Sequence, residues 1–354
     1  MPNNSFFSLS SMNITYIIGN GFDINLGLKT RYVDFYKWYV DRDRESTPDV
    51  VKAFRNEISS FIKEQYNKED GAIDWSDLEL ALGQYSVKVS ADRFRNLLLD
   101  IADNLKTYLR IEYSCFDKSA FDIEKFKSHL VDPITDNFVL TRRRILQAFQ
   151  ERLTSNIEIR IISFNYTKTI EDLLSFEGSM SWVSKKGQNV ELKAIKHIHH
   201  CLSDENILLG VNDVQQISNE VYHEDKDVCD IFLKPSANRI LGNYVDWECQ
   251  TIIDNTDIFV LYGTSVGETD RTWWHLIANR LLKSENTARM LWFIHDQEKA
   301  SHADLLYPSV SRELIPRFAR LAGIPNISLE TLQKRIFITL SNKMFSFCKR
   351  PKVF

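Results

Sequence analysis

The chain has 354 residues, 44% of them hydrophobic, which suffices for one large α/β core, or one core plus an inserted subdomain, and argues against disorder. Lys and Arg total 44 against 48 for Asp and Glu, so the formal net charge of -4 offers no global basic field to a nucleic-acid backbone, and no nucleic-acid partner is expected. Cys115, Cys201, Cys229, Cys249 and Cys348 are widely spaced with no C-x-x-C pair, which argues against a disulfide framework or a zinc ribbon and fits a reducing cytoplasm.

No apolar run approaches the roughly 20 residues that cross a bilayer, so no membrane partner is expected. Met1 to Ser11 lack the charged and apolar regions of a signal peptide. Polar and rich in Ser and Asn, they predict a disordered extension, residues 1–11, with the natural start at Met12.

Ile14-Thr15-Tyr16-Ile17-Ile18 is a β-branched apolar run ending at Gly19-Asn20-Gly21, the pattern of a buried strand that runs into a tight turn. Tyr32, Phe35, Tyr36, Tyr39 and Val40 then recur at helical spacing, and so do Val51, Phe54, Ile58, Phe61 and Ile62. Leu78, Ala81, Leu82 and Tyr85 predict a short helix, and Phe94 through Leu109 a long one. The next strand, Ile157 to Phe164, follows more than a hundred residues later, whereas a βαβ crossover needs only a dozen or so. The excess predicts an inserted helical subdomain over 43–153, with 12–42 and 154–354 forming the main domain.

Further strands are expected at Leu192 to His199, Asn206 to Gly210, Asp257 to Gly263, Met290 to His295 and Arg335 to Leu340. Helical patterns lie between several of them, including Trp274, Ile277, Ala278 and Leu281 behind Asp270 as an N-cap. Strands alternating with helices predict an α/β fold, a Rossmann-like, doubly wound and mainly parallel sheet. In such a sheet ligands bind where the strands' carboxyl ends run into loops.

Four strand ends carry distinctive chemistry. Gly19 and Gly21 leave backbone amides open to a phosphate at a helix N-terminus, or else only shape a turn. The full G-x-G-x-x-G fingerprint fails at Ile24, which disfavours a conventional dehydrogenase. Asp23 reads as a ribose-orienting carboxylate or a helix cap, and Asn165 as a ligand-holding amide or, with Thr167, a cap. His197 and His199 alternate along one strand with Cys201 beyond, which suits a general base, a zinc site or plain packing. Gly263-Thr264-Ser265 would let a cofactor lie against the backbone beside two hydroxyls, or is an ordinary polar loop. Trp273 and Trp274 read as core packing.

Together these islands resemble the phage abortive-infection AbiH family. Tyr16 through Asp23, with Gly27-Leu28, is similar to its opening motif, and Trp75-Ser76-Asp77-Leu78-Glu79 resembles its W-x-D-L-E element. Phe164-Asn165-Tyr166-Thr167, His197-Ile198-His199 and Tyr262-Gly263-Thr264-Ser265 with Glu268-Thr269-Asp270 resemble its N-Y-T, H-I-H-G and G-H-S-x-x-E-x-D elements. AbiH-like sequences in turn resemble sirtuin-like NAD-binding domains. That likeness implies NAD or a related nucleotide as ligand or substrate, contacted by Gly19, Asn20, Gly21, Phe22, Asp23, Gly263, Thr264 and Ser265. It implies that Asn165 orients a water or the ribose, that His199 acts as base, and that water attack releases nicotinamide. No metal is expected on this reading. The chain departs from the two family patterns at His200 in place of glycine, Thr264 in place of His and Thr167 in place of Asp.

The expected function is therefore a phage-defence protein that binds, and as an enzyme would hydrolyse, NAD. One alternative is a non-enzymatic nucleotide-binding switch or scaffold whose helical insertion meets a phage-derived trigger, a protein partner or a second copy. A weaker one is a zinc-dependent hydrolase or nuclease built on His197, His199 and Cys201.

Overall fold

The computed structural model describes residues 11–41, 55–57, 60–61, 78–133, 156–204, 206–242, 244–283, 288–295, 303–340 and 343–349. Seven strands carry the fold: β1 (Met12–Ile18), β2 (Asn156–Ser163), β3 (Met180–Val183), β4 (Asn189–His197), β5 (Ile258–Tyr262), β6 (Arg289–Ile294) and β7 (Ile336–Leu340). They form one sheet of order β3-β4-β2-β1-β5-β6-β7, parallel throughout except for β3, which pairs antiparallel with β4 at one edge. From β1 the chain first builds outward through β2 to β4 and then returns to build the other half through β5, β6 and β7. The expectation of an α/β fold on a mainly parallel sheet holds.

The described helices are α1 (Gly21–Leu26), α2 (Tyr32–Asp41), α3 (Leu78–Tyr85), α4 (Ala91–Ser114), α5 (Ile123–Val131), α6 (Thr169–Leu174), α7 (Lys226–Phe232), α8 (Lys234–Ile240), α9 (Val245–Asp254), α10 (Arg271–Leu282), α11 (Ala303–Leu321) and α12 (Leu329–Arg335). Because side chains alternate along a strand, the central strands need an apolar layer on each face. Ile17, Phe259, Leu261 and Trp292 face a core with residues of α9 through α12. Ile14, Tyr16, Ile18, Val260 and Tyr262 face a second core with α1, α5, α6 and the aromatic pair Phe345 and Phe347. A third core is helical: α2, α3 and α4 close over Leu202 to Val211 and α7. It is built from chain on both sides of β2 and β4, so the insertion packs on residues from the second half of the molecule.

Two local expectations are corrected and one strand is added. Asn206 to Gly210 is not a strand; Val211 bridges Leu233, and Ile207 and Leu209 are buried in the helical core, which explains their apolar pattern. Strand β4 ends at His197, so Ile198 and His199 lie in the following turn. The short edge strand β3 had no counterpart in the reading, because only four residues, alternately half-buried and exposed, form it. Of the helix expected from Val51 to Ile62, residues 55–57 and 60–61 are helical and the others lie outside the described residues. The expected extension lies outside them too, except Ser11, whose hydroxyl donates to Glu158 at 3.0 Å. Among the described residues no helix is long and apolar enough to cross a membrane.

Candidate functional site

Sheet register sets four strand ends side by side. Ile18 pairs with Ser163 on one side and Tyr262 on the other, and Ser163 pairs with His197. The loops after β1, β2, β4 and β5 therefore leave from one edge, although the strand ends run from Ile18 to Tyr262 in the chain.

The β1 and β5 loops pack backbone on backbone. The Gly21 N–H donates to Gly263 O at 2.8 Å and the Gly19 N–H to Tyr262 O at 3.0 Å. A Cβ on Gly21 would sit 2.5 Å from Gly263 Cα, and one on Gly19 2.6 Å from Gly263 O, so the side chain's absence is what permits the crossing. Gly263 itself is left-handed at φ +70. Both amides that a phosphate would need are thus already bonded. Asn20 ties back the chain through Nδ2 to Thr30 O at 2.8 Å, Phe22 is fully buried against Phe126 and Phe345, Thr264 Oγ1 accepts the Val266 N–H at 3.2 Å, and Ser265 is exposed.

Asp23 joins this turn to the loop after β2. Its buried carboxylate accepts the Thr167 hydroxyl at 2.5 Å and the Thr169 hydroxyl at 2.7 Å. Burial pushes its pKa up to about 6, against the pull of those two hydroxyls and of the neighbouring Asn165 amide. Neither Asp23 nor Thr167 caps a helix; they bond to one another. Asn165 is only 4% exposed; its amide neighbours the Asp23 carboxylate, but neither Nδ2 nor Oδ1 makes a hydrogen bond of proper geometry. A buried amide with both functions unmet costs about 1–3 kcal/mol per group, and so marks a place where something polar is wanted.

The two histidines serve different surroundings. His197 Nδ1 lies 2.7 Å from Asn165 O and Nε2 2.7 Å from Glu171 Oε1. Both partners are acceptors, so both ring nitrogens donate and the ring is an imidazolium. Burial works against that charge, but the Glu171 carboxylate outweighs it and the His197 pKa is raised. His199 instead stands edge-on to Phe164, ring centroids 5.5 Å apart, with Nε2 3.1 Å from both Asp270 Oδ1 and Lys234 Nζ. Lys234, 3% exposed, also binds Glu79 Oε2 at 2.8 Å and lies 3.6 Å from Asp270. The Gly210 N–H donates to Glu79 at 3.2 Å, and Asn212 Nδ2 to Asp270 at 3.3 Å. One ammonium, two carboxylates and an imidazole thus share a buried site where the helical core meets the sheet edge.

A family model described as "Bacteriophage abortive infection AbiH" matches residues 15–294, well over half of the chain. The chain belongs to the AbiH family. Neither a curated protein nor a solved structure matches it.

Glu79 and Asp270 lie in two of the islands that carry the AbiH resemblance, yet the pattern alone gave them no role beyond helix residue and N-cap. Asp270 does stand at the N-cap of α10, but its side chain makes no capping bond and turns to His199, Asn212 and Lys234 instead. Lys234 carried no signal: a lysine before proline between two helical patterns looks like any surface lysine.

The structure also accounts for two departures from the family patterns. His200, in place of glycine, sits in left-handed backbone at φ +61, and its Nε2 lies 3.1 Å from Asn238 Oδ1. Thr167, in place of Asp, gives Asp23 a hydroxyl donor where a carboxylate would face a carboxylate. For Thr264 the structure offers no explanation.

His197, His199 and Cys201 do not converge, since Cys201 Sγ faces Ser203 Oγ at 3.1 Å and Asp204 Oδ2 at 3.3 Å. Among the described residues of this AbiH chain no three His, Cys, Asp or Glu side chains group as metal ligands. A cavity of about 840 Å³ opens on the β4 side of the edge, lined by Lys168, Glu171, Lys196, His197, Cys201 and Asp204 among others; Gly21, Asn165, His199 and Ser265 do not line it.

Proposed function

We propose that this AbiH protein acts in cytoplasmic phage defence by binding NAD or a related nucleotide at the carboxyl edge of its sheet and hydrolysing it to nicotinamide and ADP-ribose. The observation that carries this reading is the Asn165 amide, buried with a donor and an acceptor both unmet, one loop away from His199. Such a pair fits a ribose hydroxyl or an attacking water. The topology supports a nucleotide as well: with the edge strand β3 set aside, the strands run in the order third, second, first, fourth, fifth, sixth, as in doubly wound dinucleotide-binding sheets. In the reaction a water oxygen bonds to the anomeric carbon of the ribose while its bond to nicotinamide breaks. Nicotinamide leaves with the electron pair, and the water's proton goes to a base, the role given to His199.

The purified chain mixed with NAD is expected to release nicotinamide, and Asn165→Ala or His199→Ala to abolish the release. Undiminished release by both variants would overturn the site. The engagement of His199 Nε2 by Asp270 and Lys234 favours a second reading, in which the nucleotide is bound without turnover and serves as a switch for a partner of the helical core. Saturable NAD binding with no nicotinamide released, with and without phage lysate, would decide for it.

A further inference from the structure

A ring nitrogen carries one lone pair or one proton. His199 Nε2 therefore accepts a hydrogen bond from Lys234 or donates one to Asp270, both at 3.1 Å, and cannot do both. Three observations decide between them. Lys234 is the one buried lysine among the described residues, and although burial works against its charge, the Asp270 and Glu79 carboxylates hold the proton on, so it is always a donor. Beside Glu79 at 2.8 Å, its next acceptor is His199 Nε2, since Asp270 Oδ1 at 3.6 Å is beyond hydrogen-bond reach. Asp270, for its part, has the Asn212 amide at 3.3 Å and does not depend on the ring for a donor. If Nε2 were protonated, its N–H would lie against an ammonium.

We propose that Lys234 is a positioning residue that, by donating to Nε2, locks His199 in the tautomer with its proton on Nδ1, so that Nδ1 is a donor and not an acceptor in the resting state. Nδ1 becomes a proton acceptor only in the other tautomer, in which Nδ1 has released its proton and Nε2 has taken one up and keeps it, donating a hydrogen bond to Asp270; the charge of the ring is unchanged. The charged groups around the ring are Lys234 and Asp270 in contact, Glu79 behind Lys234, and Asp246, bonded to the Asn238 amide that also meets His200. With Glu79 anchoring the ammonium, release of the latch requires the helical core to move or Lys234 to find another partner. This inference rests on the hydrolytic reading only for its consequence, a base held back at rest so that the native chain releases nicotinamide slowly.

The test reads the ring itself. In long-range proton–nitrogen spectra of the full-length chain, recorded above the ordinary imidazole titration range and assigned by loss of the signal in His199→Gln, Nε2 should resonate as an unprotonated nitrogen and Nδ1 as a protonated one. Lys234→Met combined with Glu79→Gln, which leaves no orphaned carboxylate at position 79, should exchange the two identities, and Lys234→Arg should restore the native pattern. A protonated Nε2 in the native chain, or an unchanged pattern in the double variant, overturns the lock. The native spectrum decides even if the variants fail to fold. If hydrolysis also holds, the double variant should release nicotinamide on the order of 100-fold faster, the lower end of what a positioned base supplies. An exchanged pattern with no release would strike the hydrolytic reading and leave the lock standing.

Discussion

Asp23 shows how a single buried carboxyl can set a pH dependence. Its pKa rises from 3.8 to about 6 on folding, so the folded chain keeps this proton where the unfolded chain has lost it. The sign is the reverse of a salt-bridged carboxylate: this group's contribution to stability falls as pH rises between those values, by about 3 kcal/mol in all. Asp23→Asn should flatten that stretch of the curve, read as the difference in denaturation midpoint between wild type and variant on either side of the window; parallel curves would refute it. His200 poses a second question at this scale. A non-glycine residue in left-handed backbone costs roughly 1 kcal/mol, so His200→Gly should be about 1 kcal/mol more stable than His200→Ala, since both lose the Asn238 contact and only glycine relieves the strain. Thermal unfolding of the two variants compares them directly. Asn165 and His199 were legible as candidates because each stands just past a strand-like run. Lys234 was not, because burial is a property of packing and a lysine's sequence neighbours do not reveal it.

Most of the elements were legible for a related reason. A strand apolar on both faces, such as Ile258–Tyr262, or a long amphipathic helix, such as Ala91–Ser114, writes its burial into consecutive residues. Where burial comes from irregular chain, the same pattern misleads, as it did at Asn206 to Gly210. An edge strand of four residues writes too little to read. The glycine turn was legible as a turn, but its use was not: from sequence it opens amides to a ligand, whereas in the fold it lets the β1 and β5 loops touch. Gly21→Ala should therefore cost at least the ~3 kcal/mol upper end of overpacking penalties, because the obstructing atoms belong to Gly263 backbone and cannot rotate away. A chemical denaturation midpoint within error of wild type would show that the two loops are free to part.

Across the whole molecule, the buried cluster ties the helical core to the sheet. Glu79 comes from α3, His199 from the turn after β4, Lys234 from α8 and Asp270 from the start of α10. Removing the only cation of such a cluster is far worse than removing the cation with its partner. Lys234→Met alone should lose about 3–5 kcal/mol, and Lys234→Met with Glu79→Gln clearly less; equal losses in urea denaturation would mean the charges are not coupled. The overall α/β architecture was legible from alternating patterns, while the joining of the helical core to the sheet edge through one lysine was not, because it depends on the contact of Lys234 with Glu79, 155 positions away in the chain.

The central position of β1 has one more consequence. Its carboxyl end is flanked by Ser163 and Tyr262, and the ring of His199 is completed by Asp270. During synthesis the first strand leaves the ribosome long before its second neighbour exists, and pairing at such separation is slow. The nascent chain thus cannot assemble this edge until translation has passed Asp270. By this topology any chemistry proposed for the edge is withheld from the nascent chain.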